Sequence, residues 1–450
     1  MTSMLRQYLN IRPSELAPIL MAALYFFFIL TTLMILRPAR DALGMQAGID
    51  AIRWLFMGTL VATLLVNPIF GWLVSKFRRL TFITATYAFF GINLLVFAGL
   101  LLFAEEAVGI TSGNVFYIWM SVFNLFLTMI FWALMADRFS LEQSKRLFGV
   151  IAVGGTVGAI FGSAIAWQLA ETVGAPMLLV IAAFFLVLAT AAAWGVALLQ
   201  PERKDLDSDD PDAPPQVSEN AIIGGTALEG FRAVFRSPYL LGIAAYVLIL
   251  AVVVTFIYFT RLQMVAALGD DVDMRTGIFA QLDLATQVAT LVLQLVVAGH
   301  VMKRLGVHVA LVLAPVTAAL GFIGLAMVAS LVVLVIFDAI FRAVQRAIMR
   351  PARETLFTVV SREEKYKAKA FIDTFVYRGG DAVGAQTEGL LARLGMGLYA
   401  LTLVVVPMAI AWAALGLWLG RQQSKLAEEH NQTAERKSNS AEVQTHHDQD

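Results

Sequence analysis

Leu36-Arg37-Pro38-Ala39-Arg40-Asp41-Ala42-Leu43 and Met349-Arg350-Pro351-Ala352-Arg353-Glu354-Thr355-Leu356 are two copies of one phrase. Each follows a long apolar run and puts two arginines and an acid where that run ends. The flanking residues agree in type as well. The pair reads as an internal repeat, so the chain is expected to consist of two like halves, each holding a copy at the end of a membrane helix.

Composition sets the class. Hydrophobic residues make up 59% of the 450 and charged residues 15%, against about a quarter charged in soluble domains. Apolar runs of roughly 20 residues recur, the length that crosses about 30 Å of hydrocarbon. The first of them, from Leu16 to Leu36, is too long for a signal peptide and reads as a spanning helix. The fold class is an all-α polytopic membrane protein of about twelve spans, six and six. There is no cysteine, which excludes disulfides, thiolate metal sites and cysteine nucleophiles. The five histidines lack metal spacing within a common span and no Ser/His/Asp set is readable, so neither an enzyme nor a metal site is expected. Net charge is zero with the cations scattered among loops, so no nucleic-acid partner is expected.

The spans fall at 15–36, 51–75, 80–104, 113–136, 146–170 and 176–199, then at 238–260, 277–299, 306–329, 330–350, 366–394 and 397–419. The organisation is a six-helix bundle over 1–200, an acidic cytosolic linker over 201–225, a second bundle over 226–420 and a disordered polar tail over 421–450. Residues 226–237 read as a short amphipathic helix on the membrane surface. With both termini inside, Arg37, Arg40, Arg53, Arg261, Arg275 and Arg393 fall outside and Arg342, Arg346 and Arg378 within spans. The other 24 Lys and Arg are cytoplasmic, as the positive-inside rule requires. The expected location is the cell inner membrane, and the expected state a monomer in the lipid bilayer.

Gly71-Trp-Leu-Val-Ser75-Lys76-Phe-Arg78-Arg79 after span two and Gly299-His-Val-Met-Lys303-Arg304-Leu-Gly306 after span eight are a second echo. Both resemble the Gly-x-Leu-x-Asp-Arg-x-Gly-Arg loop of the major facilitator superfamily, with Ser75 where that family has Asp. In such a duplicated fold, spans one, four, seven and ten line the cavity. Their charged ends, Arg37, Arg40 and Asp41; Asp137 and Arg138; Arg261; and Arg350, Arg353 and Glu354, are candidate gates, with the two copies of the phrase at opposite mouths.

Span ten carries the chemistry. Asp338, Arg342, Arg346, Arg350 and Arg353 step by four, four, four and three, within about a third of a helix circumference. Arginine inside a bilayer costs several kcal/mol if it meets lipid. These side chains are therefore expected to face water or partners, and a guanidinium fork suits phosphate or carboxylate. The plainer alternative is a ladder in which Asp338 holds Arg342 and the rest reach to headgroups. Span eleven adds Lys369, Asp373 and Tyr377 on one face, then Arg378-Gly-Gly-Asp381. Asp283, Asp338 and Glu388 are candidate proton sites. The aromatics at 25–28, 256, 258 and 259 are expected to pack and not to stack a base. Gly154-Gly155-x-x-Gly158-x-x-x-Gly162 is a small-residue packing stripe.

Three stretches resemble the ATP/ADP antiporter-type nucleotide transporters of plastids and intracellular bacteria. They are Tyr25-Phe-Phe-Phe-Ile-Leu with Leu36-Arg-Pro-Ala-Arg40-Asp41-Ala-Leu; Phe131-Trp132-Ala with Asp137 and Ser144-Lys145-Arg146-Leu-Phe; and Lys365-Tyr-Lys367-Ala-Lys369-Ala-Phe-Ile372-Asp373 with Arg378-Gly. That family usually has Lys where this chain has Arg40, and Glu where it has Asp137. The resemblance implies exchange of phosphate-bearing solutes, with substrate contacts at Arg40, Asp137, Lys369, Asp373 and Arg378.

The expectation is a secondary active transporter of a small anionic, phosphorylated solute working by alternating access. One alternative is a proton-coupled exporter of drug-like solutes using Asp283 or Asp338. The other is a non-transporting membrane partner or sensor that docks through its linker and tail.

Overall fold

The computed structural model describes residues 12, 15–104, 106–199, 227–295, 299–395 and 397–447. The acidic stretch read as a linker lies outside them. Every regular element among the described residues is helical. Among the described residues nine helices are long and apolar enough to cross a membrane, and one of these holds two spans, because Leu141–Leu199 bends at Gly174 (φ +79°) just before Pro176. Two further passes, over spans ten and eleven, are shorter or more charged helices broken by wider turns, so the twelve expected passes are all helical.

The chain forms two compact units, Met1–Glu219 with Phe259–Val288, and Asn220–Tyr258 with Ala289–Asp450. The first is built from α1 (Leu16–Gly44), α2 (Ile49–Lys76), α3 (Arg79–Phe103), α4 (Glu106–Arg138) and α5 (Leu141–Leu199). To these are added the end of α7 (Pro238–Ala266) and most of α8 (Val272–Leu293). Aromatic pairs run through its aliphatic core. The Tyr25 and Tyr87 hydroxyls meet at 2.6 Å, Phe26 stacks on Phe131 at 4.3 Å, and Trp119 stacks on Phe123 at 4.9 Å. The run at 25–28 therefore packs against neighbouring helices, as expected.

The glycine stripe of α5 does what its spacing predicts. A side chain at Gly154, Gly158 or Gly162 would collide with the backbone of Ala23, Phe27 or Thr31 of α1. The two helices thus touch backbone to backbone, and the Thr31 hydroxyl donates to the Gly158 carbonyl at 3.1 Å. Close approach of this kind replaces the hydrophobic effect as the adhesive between helices in lipid.

The second unit holds α6 (Ala227–Arg236), the start of α7, α9 (Gly299–Met327), α10 (Leu331–Val344), α11 (Arg350–Thr355), α12 (Arg362–Phe371), α13 (Tyr377–Arg393) and α14 (Leu398–His447). Ser330 separates α9 from α10 as an N-cap, accepting from the Val333 amide at 3.2 Å, so spans nine and ten do meet with almost no loop. Of the glycine pair in span eleven, Gly380 lies close against Leu248 and Ala251 of α7, while Gly379 faces open space. Close packing is therefore supplied by Gly380. The polar tail expected to be disordered continues the helix of span twelve as far as His447; its Ala, Glu, Lys, Arg and Gln are good helix formers.

The largest departure from the sequence expectation is where spans one and seven end. α1 does not stop at Leu36 but runs through Arg37, Pro38, Arg40 and Asp41 to Gly44. α7 likewise runs past Arg261. Charged residues end a span when only water can satisfy them; here other side chains do so.

Candidate functional site

In the first unit, five charged groups form a string across α1, α7 and α8. Arg40 grips Asp41 through Nη2 at 2.5 Å and Nε at 3.0 Å. The second oxygen of Asp41 lies 3.9 Å from Arg261 Nη2. Arg261 Nη1 reaches Asp283 at 3.0 Å, and the other Asp283 oxygen lies 3.6 Å from Arg37 Nε. The order is cation, anion, cation, anion, cation. Asp41, Arg261 and Asp283 are fully buried, and the outer two arginines are mostly so. Arg261 also donates to the Phe279 carbonyl at 3.2 Å and lies over the Phe279 ring, while Arg40 lies over Tyr117. The sequence set Arg37, Arg40, Asp41 and Arg261 apart as charged helix ends. It did not join Asp283 to them, because that residue is remote in sequence and was read as a proton site.

Asp137 and Arg138 were candidates for one gate pair. Asp137 instead pairs with Arg79 of α3 at 2.5 Å, and Arg138 is buried. Adjacent residues on a helix point about 100° apart, so Asp137 turns to α3 while Arg138 turns inward. The basic loop that ends in Arg79 was the signal available in the sequence.

The second unit repeats the device on the second copy of the phrase. Arg353 Nη2 lies 3.3 Å from the adjacent Glu354, and Glu354 also takes Lys369 from α12. Arg353 reaches Asp373 as well, at 3.2 Å. In each copy an arginine clasps the next residue's carboxylate, and that carboxylate holds a cation from another helix. Burial alone would raise the Glu354 carboxyl, but the hydrogen bond and charge of Lys369, with those of Arg353, hold it below its ordinary value.

The arginines of span ten differ in burial along the helix. Its helix opens into a π turn at Gln345–Met349, which contains Arg346. Before that turn Arg342 is buried and held by Asp338 at 2.6 Å, as in the ladder alternative. Arg346 is half-buried, Arg350 exposed and Arg353 buried. A second π turn, Ile372–Val376, holds Asp373 in span eleven. Such turns are rare and concentrate at functional sites. Beyond it, Arg378 pairs with Asp381 at 3.3 Å, and Asp381 also accepts from the Thr255 hydroxyl at 3.4 Å. Glu388 is buried in α13.

The sequence profile of the Major Facilitator Superfamily matches residues 16–341. The chain belongs to the major facilitator superfamily. This facilitator is also similar in fold to solved members. A mutant form of the nucleoside transporter NupG aligns with a TM-score of 0.62 at 15% identity, covering 89% of this chain and 99% of the other. A bacterial homolog of the human lysosomal transporter Spinster, inward-facing and unoccupied, aligns with a TM-score of 0.60 at 16% identity, covering 92% and 99%. No curated protein sequence matches. At these identities the likeness shows the fold alone; it is the family match that makes the facilitator a multi-pass membrane protein of a transporter family.

Proposed function

We propose that this facilitator is a secondary transporter, working by alternating access and exchange on a small anionic, phosphorylated and nucleotide-like solute. The observation that supports this best is the concentration of cations around the two π turns. Arg346, Lys369 and Arg378 all stay half-exposed in segments that lipid would otherwise force to be apolar. Arg353 and Lys369 converge on Glu354, and Asp373 adds a second carboxylate. A phosphate could replace these acids as the partner of the cations, as bidentate guanidinium pairing allows. Arg342, held by Asp338, is assigned a supporting part, whereas Arg346, Lys369 and Arg378 are assigned to the solute. The resemblance of spans one, four and eleven to ATP/ADP antiporter-type transporters favours the same substrate class and adds Arg40, Asp137 and Asp373. The string Arg40–Asp41–Arg261–Asp283–Arg37 is proposed as a gate, its pairs parting when the opposite state forms. Both termini are proposed to be cytoplasmic.

The proton-coupled alternative is less favoured. Its two named carboxylates, Asp283 and Asp338, are both engaged by guanidiniums. Counterflow in proteoliposomes, with labelled nucleotides and sugar phosphates, tests the reading. Uptake of at least one phosphorylated solute is expected, abolished in Arg346→Ala and retained better in Arg346→Lys. Absence of uptake for every anion tried, or full activity in Arg346→Ala, refutes it.

A further inference from the structure

The short helix α6 is separated from the membrane helix α7 by Ser237 alone. That places it at the membrane boundary by connectivity. Its faces are sharply divided. Phe231 and Phe235, one turn apart, are 44% and 58% exposed, while Val234 beside them is buried. Arg232 and Arg236 follow on the adjoining side and are exposed. Isolated surface phenylalanines need no explanation, but two on one turn flanked by two arginines match a helix lying in the interface, rings among acyl chains and guanidiniums at headgroups.

α6 is not merely attached by its end. It packs on α12, which is itself basic in sequence, with Arg362, Lys365, Lys367 and Lys369 against Glu363 and Glu364. The contact is an aromatic ladder. Phe235 meets Phe231 at 4.4 Å, Phe231 meets Phe371 edge-on at 5.8 Å, and Phe371 stacks on Phe375 at 5.5 Å. Phe371 is the last residue of α12, and Phe375 lies in the π turn that carries Asp373. A force on α6 therefore reaches the segment that holds the Arg353–Asp373 and Lys369–Glu354 pairs.

We infer that α6 is a docking site for anionic phospholipid headgroups of the adjacent leaflet, and that their binding steadies the π turn at 372–376 through the phenylalanine ladder. The occupant is the bilayer surface and not a soluble anion, because two exposed rings accompany the charges and the helix adjoins a spanning segment. This does not depend on which solute is carried.

Native mass spectrometry of the full chain with phosphatidylglycerol or phosphatidylcholine of the same acyl chains tests the docking. Wild type is expected to retain phosphatidylglycerol preferentially, and raising salt from about 50 to about 500 mM is expected to erase that preference. Arg232→Gln with Arg236→Gln should weaken it by about thirtyfold, at about fivefold per cation near an anionic surface, whereas Arg232→Lys with Arg236→Lys keeps it. Hydrogen exchange at the amides of 371–377 in nanodiscs should slow when phosphatidylglycerol is present. A wild-type protein without the preference, a preference indifferent to salt or to loss of both arginines, or equal exchange in the two lipids overturns the inference. So does conversion of a dimer to a monomer by Phe231→Ala with Phe235→Ala, since a second copy would then cover the face.

Discussion

The buried string of charges makes an unequal prediction about its two central members. It contains three cations, Arg37, Arg40 and Arg261, and two anions, Asp41 and Asp283. Replacing Arg261 by Met leaves two matched pairs, Arg40 with Asp41 and Arg37 with Asp283. Replacing Asp283 by Asn leaves three arginines around one carboxylate, with Arg261 fully buried beside Asp41 at 3.9 Å. At an effective dielectric constant of about 20, contacts of 3.0 and 3.6 Å correspond to gross attractions of about 5.5 and 4.6 kcal/mol. Relief of the carboxylate's own desolvation returns much of that sum. Breaking a buried pair from one side leaves a net cost of about 3–5 kcal/mol because a charge is left uncompensated; loss of Arg261 escapes most of that cost, since Asp41 keeps Arg40 and Asp283 keeps Arg37. Asp283→Asn is therefore expected to cost about 3–5 kcal/mol and Arg261→Met under about 2 kcal/mol. The assay is reversible unfolding in mixed micelles, with the double variant closing the cycle. A greater loss in Arg261→Met than in Asp283→Asn, or single losses that simply add in the double variant, refutes the account of one coupled string.

Three further outcomes follow from single contacts. Glu15, just ahead of α1, takes both Arg146 guanidinium nitrogens, the Gln143 amide and the Arg12 amide; burial alone would raise its carboxyl, but these partners bring it from 4.5 down to about 2. Its stabilisation, about 3 kcal/mol at most, is complete above pH 4.5 and lost as pH falls through 2, so acid titration of Glu15→Gln should lack the loss wild type shows in that window. Gly158→Ala drives a methyl into the Phe27 backbone and should cost about 1–3 kcal/mol or more as overpacking, visible as a lower thermal midpoint. Asp273 Oδ1 accepts from the Ala175 amide at 2.7 Å at the bend of α5; Asp273→Ala should cost about 1–2 kcal/mol and speed hydrogen exchange at Ala175.

The helices were legible because lipid demands long apolar stretches, and the repeat because Arg-Pro-Ala-Arg recurs with an acid after it. What the sequence hid has a physical reason in each case. Arg261 looked like the end of a span, since nothing local announces that Asp41 and Asp283 will meet it inside. The π turns at Gln345 and Ile372 have no compositional signature, so nothing in the even spacing of Asp338, Arg342, Arg346 and Arg350 announced that the helix opens there. Asp137 turned to Arg79 and not to its neighbour, a choice set by helix packing. Lys369 and Asp373, by contrast, were read as sharing a face and do converge on Arg353 and Glu354.

The glycine seam between α1 and α5 has a mechanical corollary. Carbonyls of α1 sit in the notches left by Gly154, Gly158 and Gly162 of α5, where any larger side chain would meet main chain. Neither partner can ratchet past its mate. Over Ala23–Thr31 the two helices are expected to move as one lever, and any bending of α1 falls beyond the seam, toward Pro38.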